Sequence, residues 1–284
     1  MKKFCIITNE YKDVDNKVSK YVKSYLEEHG CTCVMFDSYC TETKEYIPLK
    51  ESHVPDDTEC VITVGGDGTL LRVTAPLKKR DVVFVGINMG HLGFLAEISA
   101  DDITECLECL VNDKFNVESR MMLNAKLIRD GAVLKDTDIL NDIIVHRGAE
   151  ISISHYEVYI NGSYLGEYNA DGIVVCTPTG STAYNMSAGG PFARPDSHII
   201  ILTPVCSHAL GSRSIIFSKN DTIEIKIGED RKNDEEKRSL SLDGSKKIDV
   251  GSGDIIRIQM AETSTKIVKF GDESFLQTIR EKIK

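Results

Sequence analysis

The run VITVGGDGTLLR, residues 61–72, decides the fold. Val61, Ile62, Thr63 and Val64 are β-branched and favour a strand. Gly65 and Gly66 end that strand, and Asp67, Gly68 and Thr69 open a helix. Such a loop brings backbone close to a ligand and aims amide groups at an anion, so Gly65, Gly66, Gly68 and Thr69 are candidate phosphate contacts. Asp67 is then out of place, because a carboxylate repels phosphate unless it binds a metal ion or takes a proton from a hydroxyl nucleophile. Taken alone, the pattern fits a helix cap equally well, with Asp67 as a turn residue. It matches neither the nucleotide loop that ends in lysine nor GxGxxG. Arg72, one helical turn on, returns some positive charge.

Outward from this run, strands and helices alternate. KFCIIT reads as a strand, DNKVSKYVKSYLEEHG as an amphipathic helix closed by Gly30, CTCVMF as the next strand, and residues 38–59 as a polar loop. DVVFVGIN is a further strand, ending in a second glycine loop with Asn88, Gly90 and Gly93 ahead of Phe94 and Leu95. Alternation of this kind predicts a parallel sheet covered by helices, with both loops side by side at its carboxyl edge, where ligands bind. Phe94 suits either a ring-covering role or an ordinary core position.

Past the helical DDITECLECLVNDKF the pattern changes to extended runs with turns at RDG, NGS and ADG, predicting a mainly antiparallel second domain. The expected division is an α/β domain over 1–118 and a β-rich domain over 119–267, with 268–284 returning to the first. That last segment reads as a helix with Phe275, Leu276, Ile279 and Ile283 on one stripe. The charge run at residues 228–238 lies between two alternating strands and is expected to be a solvated hairpin tip.

Acidic residues outnumber basic ones 44 to 34, for a net charge of -10, which disfavours nucleic acid and anionic membranes as partners. No stretch approaches the roughly 18 apolar residues of a membrane span, and the start MKKFCIITNE is too short in apolar residues for a signal peptide. The nine cysteines are scattered and odd in number, as expected of free thiols in the cytosol. Cys106 and Cys109 form a CxxC without a second pair, and Cys31 and Cys33 flank one residue, so zinc is disfavoured. His91, His146 and His208 lack metal-ligand spacing and are expected to be structural or peripheral.

Two further stretches carry chemistry. LNDIIVHRG places the polar pair Asn141 and Asp142 within an otherwise apolar strand. That pair is costly to bury unless hydrogen-bonded, and suits either a ribose or base edge, or a bulge or turn cap. ADGIVVCTPTGSTAYNMSAGGP, residues 170–191, sets Asp171 before a strand and then gathers Thr177, Thr179, Ser181, Thr182 and Tyr184 around Gly180. Small hydroxyls with an aromatic ring suit a nucleoside. Ser181 lacks the GxSxG setting of a nucleophile.

In this order GGDGT, NMGHLGFLAE, LNDIIVHRG, DGIVVCTPTGSTAYNMSAGGP and LTPVCSHAL together resemble the NAD kinase family, across residues 60 to 245. The resemblance implies a two-domain kinase with the dinucleotide in the cleft between an α/β and a β domain. It also implies ATP and NAD as substrates with Mg²⁺ or another divalent metal, and a homodimer or homotetramer. Asp67 is then the general base that activates the 2′-hydroxyl of the adenosine ribose toward the γ-phosphate of ATP. By position, Asp67, Gly68, Arg72, Asn141, Asp142, Asp171, Thr182, Ala183, Tyr184, Asn185, Met186 and Ser187 contact the dinucleotide, with Thr179 and Phe94 as further candidates. The resemblance leaves the metal ligands unknown. Ser245 stands where family chains often have glutamine, and PFARPDSHII departs from the expected His-Pro arrangement. Two other readings compete. A related lipid kinase would need an apolar groove, and a noncatalytic NAD(P)-binding sensor would not need Asp67.

Overall fold

A computed structural model describes residues 1–40, 43, 45–90, 93–96, 98–148, 154–207, 212–229, 238–244, 247–270 and 274–282. The chain divides into two compact units, Met1–Arg120 with Thr265–Lys284, and Met121–Ser264.

The first unit is built on a parallel sheet. Its strands run in the order Val83–Asn88, Cys60–Gly65, Lys3–Thr8 and Thr32–Asp37, and the end of Ile255–Lys269 lies beside Val83–Asn88. Alternate residues feed two cores. Phe4, Ile6, Ile62, Val64 and Val85 share one with Val22 and Leu26 of the helix Lys17–Glu28 and Leu107 and Leu110 of Ile103–Val111. Cys5, Ile7, Val61 and Phe84 face the other, with Val73 and Leu77 of the helix Asp67–Leu77. Both faces are covered, which is why these strands read as unbroken apolar runs rather than alternating ones. Because Gly65 pairs with Asn88 at the carboxyl end, the two glycine loops leave the sheet as neighbours, as the sequence predicts.

The second unit packs two sheets face to face. One carries Ser163–Ala170, Ser154–Ile160, Ile223–Ile227, Ile255–Lys269, Asn116–Arg129 and Ala132–Ile139 in that order. The other runs Ile215–Ser218, Ile199–Val205, Gly172–Cys176, Asp142–Arg147, Arg238–Leu242 and Ile248–Val250, with every pair antiparallel. Leu123, Val158, Ile225 and Ile258 of the first meet Val145, Ile173, Val175 and Leu202 of the second in one core.

Several local expectations are corrected. RDG and NGS are hairpin turns, with Asp130, Gly131, Asn161 and Gly162 all at positive φ. ADG is not, because Ser163–Ala170 and Gly172–Cys176 belong to different sheets. Gly172 is required there by close approach, since a Cβ on it would stand 2.5 Å from the Val145 carbonyl oxygen. The strands on either side of the charge run, Ile223–Ile227 and Arg238–Leu242, belong to different sheets and do not pair with each other. Arg238 at its end is buried, with its Nε donating to Ser154 Oγ at 3.3 Å. Residues 230–237 of that run lie outside the described residues, as do His91, His208, Ser245 and Ile283. The loop at 38–59 contains a short hairpin, Tyr39–Cys40 with Glu45–Tyr46, and a turn of 3-10 helix at Glu51–His53. In the last helix, Ser274–Lys282, Leu276 is exposed rather than part of an apolar stripe, while Phe275 meets Phe94 with ring centroids 6.3 Å apart.

Candidate active site

In the first unit the strand Cys60–Gly65 delivers its chain straight into the helix Asp67–Leu77. Gly66 accepts from the Thr69 amide at 2.8 Å and the Leu70 amide at 3.2 Å, closing the first turn. Gly65 cannot carry a side chain, because the Thr69 side chain fills the place of its Cβ. Gly68 is exposed and Thr69 buried.

The Asp67 side chain leaves this turn and enters the neighbouring glycine loop. Its Oδ2 accepts from the Phe94 amide at 2.8 Å, and its Oδ1 accepts from the Ala96 amide at 2.8 Å and the Leu95 amide at 3.2 Å. The carboxylate presses on Gly93, where a Cβ would lie 2.6 Å from its Cγ. One residue therefore ties both loops together. A carboxylate has about four acceptor sites, and the three amides leave one for a further donor. The side chain remains half-buried, open enough to meet that donor.

Three strand ends meet at this edge. Asn9 follows Lys3–Thr8, and its amide donates to the Val64 carbonyl at 3.1 Å. Asn88 is buried and accepts from the Gly90 amide at 2.9 Å. Arg72, expected to contact the ligand, has its guanidinium 3.7 Å from the centroid of the Tyr46 ring. Tyr46 in turn meets Tyr39, and Tyr39 meets Tyr11.

In the second unit Asn141 precedes the strand Asp142–Arg147 and Asp142 is its first residue, paired with Cys176, so the polar pair stands at the start of the apolar run and not in its middle. Asp243 fixes them. Its carboxylate accepts from the amides of Leu140 and Asn141, each at 2.7 Å, and of Asp142 at 3.2 Å. From the other side the Thr177 amide donates to the Asn141 carbonyl at 3.0 Å and Thr177 Oγ1 to the Leu140 carbonyl at 2.6 Å. Gly180 packs on Asn141 so closely that any side chain there would collide with its backbone. Burial pushes the Asp142 carboxyl up to about 6, partly offset by the Tyr184 amide. Asp243 is pushed up to about 7, by burial first and by the charge of Asp142, against the pull of its three amides.

The 170–191 stretch separates into supports and exposed groups. Asn185 is wholly buried: its Nδ2 donates to the Ser181 and Pro191 carbonyls, each at 3.1 Å, and its Oδ1 accepts from Thr203 Oγ1 at 2.7 Å. Ser181 Oγ is buried against Ala193, and Thr179 is buried while Thr182 Oγ1 donates to its carbonyl at 3.2 Å. Ala183 is half-buried, and Tyr184, Met186 and Ser187 are exposed. Asp171 receives Arg147 Nε at 2.8 Å and lines a cavity of about 560 Å³ with Tyr184, His146, Arg147, Ser241 and Lys247. That volume lies within the range of nucleotide-sized pockets.

Sequence reasoning missed Asp243, Arg147 and Lys247. Asp243 had a signal in its Asp-Gly pair, whereas the ion pair between Arg147 and Asp171 joins residues 24 positions apart and has none. Among the described residues no three His, Cys, Asp or Glu converge as metal ligands.

A helix-covered parallel sheet with paired glycine loops, and a β unit with a nucleotide-sized cavity, define the class of nucleotide-dependent phosphotransferases. The family model of the ATP-NAD kinase N-terminal domain matches residues 4–115, and that of the C-terminal domain matches residues 140–270. The chain is 38% identical over 284 residues to the NAD kinase of Lachnoclostridium phytofermentans, covering 99% of each chain. It is 37% identical over 296 residues to that of Lachnospira eligens, covering all of both. Among solved structures, yeast NADH kinase complexed with NADH aligns with a TM-score of 0.86 at 23% identity, over 99% of this chain and 87% of that one. An NAD kinase from Archaeoglobus fulgidus in complex with ATP aligns with a TM-score of 0.77 at 23% identity, over 98% of both. At that identity these two speak for the fold alone. The chain belongs to the NAD kinase family, the enzymes that phosphorylate NAD to NADP.

Proposed function

We propose that the family reaction runs here through Asp67. The 2′-oxygen of the adenosine ribose of NAD attacks the γ-phosphorus of ATP, and the bond from that phosphorus to the β,γ-bridging oxygen breaks. ADP leaves with the bonding electrons, and the proton of the hydroxyl passes to Asp67. The observation that carries this reading is the position of the Asp67 carboxylate at the junction of both glycine loops, with one acceptor site remaining after its three amide bonds.

Gly65, Gly66, Gly68 and Thr69 are assigned to the phosphates. Asn141, Asp142, Asp171, Thr182, Ala183, Tyr184, Met186 and Ser187 are assigned to the dinucleotide, as is Arg72, with Phe94 and Thr179 as further candidates. Asn185, given its burial, braces this segment from beneath. Divalent metal, Mg²⁺ in the first instance, enters with ATP as part of the substrate. The exposed apolar side chains Val133, Leu134, Tyr164 and Leu165 favour assembly as a homodimer or homotetramer. Free cysteines at eight described positions favour the cytosol.

The test is incubation of purified protein with NAD, ATP and Mg²⁺, followed through a coupled NADP-specific dehydrogenase. Absence of NADP across a range of metal and pH would overturn the assignment.

A further inference from the structure

We propose that Lys12 is the cation that grips the terminal phosphates of the phosphoryl donor at the glycine loop. The proposal rests on the phosphotransfer reading above. The sequence poses the need: GGDGT holds a carboxylate and no lysine follows it, while a phosphoryl donor bears several negative charges. Arg72 stacks on the Tyr46 ring with its Nη2 3.7 Å from where a Cβ on Gly68 would stand, so one charge already flanks the loop. A second comes from the turn after a different strand.

Lys12 lies in the turn after Lys3–Thr8, where its amide donates to the Asn9 carbonyl at 2.8 Å. Its Nζ sits over Gly66, 2.9 Å from where a Cβ would stand. Gly66 is the residue from which the helix Asp67–Leu77 starts, so the ammonium and the first amides of that helix share one location. The side chain is exposed and, among the described residues, makes no ion pair or side-chain hydrogen bond. An exposed lysine ordinarily extends into water. This one instead lies against a glycine loop.

The backbone that presents Lys12 is firmly held. Asp13, the next residue, is buried and accepts from the amides of Val18 and Ser19, each at 2.9 Å, and from Ser19 Oγ at 2.6 Å. Asn9, at the start of the turn, is 1% exposed and its Oδ1 has no hydrogen-bond partner, while its Nδ2 lies 3.5 Å from Thr69 Oγ1 of the loop. The turn thus brings a compact positive charge to one edge of the phosphate loop. An ammonium is a point charge with three rotatable donors, suited to the terminal phosphates of a triphosphate. Such a contact recognises phosphate and not the base, so it applies equally to ATP and to inorganic tripolyphosphate.

The experiment compares wild type with Lys12→Met and Lys12→Arg, reading steady-state kinetics for ATP and NAD separately, ATP binding by calorimetry, and thermal unfolding. Lys12→Met is expected to lower kcat/KM for ATP by about 10- to 100-fold, the loss of one charged hydrogen bond. The KM for NAD should stay within about twofold, Lys12→Arg should recover part of the loss, and the melting temperature should not move. ATP binding should weaken in parallel and lose part of its salt dependence. Unchanged ATP kinetics and binding in Lys12→Met would overturn the proposal, as would equal losses toward ATP and NAD. Should wild type make no NADP at all, the phosphotransfer reading fails, and the calorimetric comparison still decides whether Lys12 holds a triphosphate.

Discussion

Gly93 and Asp67 occupy adjoining space: the carboxylate of one fills the volume that a side chain on the other would need. Two loops that are 26 residues apart in sequence are locked into one surface by this fit and by the three amides that follow Gly93. Gly93→Ala must therefore displace the carboxylate or the loop. A loss of about 1–3 kcal/mol in stability is expected from overpacking. NADP formation should fall by roughly 100-fold, because misplacement by about 1 Å is enough at a reacting centre. Urea unfolding and the coupled assay check both, and an alanine variant with wild-type turnover would remove Asp67 from the chemistry.

Asp67→Asn separates the base from the brace. The amide keeps one acceptor oxygen but turns an NH₂ group toward backbone amides that donate, so a stability cost of about 1–3 kcal/mol accompanies the chemical loss. Turnover should drop by roughly 10² to 10⁴, with a much smaller change in NAD affinity. Equal turnover in a folded variant would leave Asp67 a purely structural residue.

Asp142 makes the opposite prediction for stability. Its folded pKa of about 6 lies above its unfolded value of 3.8, so the folded state holds the proton more tightly. Folding then loses stability as pH rises from about 4 through about 6, and the penalty is complete above that. Asp142→Asn removes the penalty while keeping an oxygen for the Tyr184 amide. The variant should match wild type near pH 4 and exceed it by roughly 2–3 kcal/mol at pH 8, an order-of-magnitude figure. Relaxation of Asp243, raised in part by the same charge, acts in the same direction. Chemical denaturation at pH 4, 6 and 8 checks this, and a gap that does not change with pH would refute it. NAD affinity should fall even as stability rises, since the carboxylate is assigned to the ligand.

What the sequence disclosed follows from the range of the forces involved. VITVGGDGTLLR specified strand, turn and helix because β-branching, glycine freedom and helix-end chemistry act over a few residues. The neighbouring placement of the two loops also followed, since parallel strands in register put their carboxyl ends together. The three amides on Asp67 did not follow, because they come from the backbone of residues 94–96 and leave no trace in residue type. Lys12 was equally hidden, reaching Gly66 from a turn 54 positions away in the chain. ADG was misread for a related reason. Its composition suits a hairpin, but whether the next strand pairs back or changes sheet is decided by the core it enters, here beside Val145.

Tyr184 and Asn185 are adjacent in sequence and assigned together by resemblance, yet the structure gives them different work. Asn185 satisfies two carbonyls and one hydroxyl while wholly buried, and Gly190 packs on its amide. Asn185→Ala leaves those partners unpaired and opens a cavity, so a loss of about 2–4 kcal/mol is expected, with NAD binding by the folded fraction failing only as the segment shifts. Tyr184 is exposed on the rim of the cavity that contains Asp171, and its removal exposes no core. Tyr184→Ala should leave the unfolding midpoint nearly unchanged and raise the KM for NAD by roughly 10-fold, the scale of one lost stacking contact. Measuring unfolding and NAD kinetics on both variants distinguishes the two roles. If Tyr184→Ala unfolds as readily as Asn185→Ala, the ring is a structural support and the stacking assignment falls.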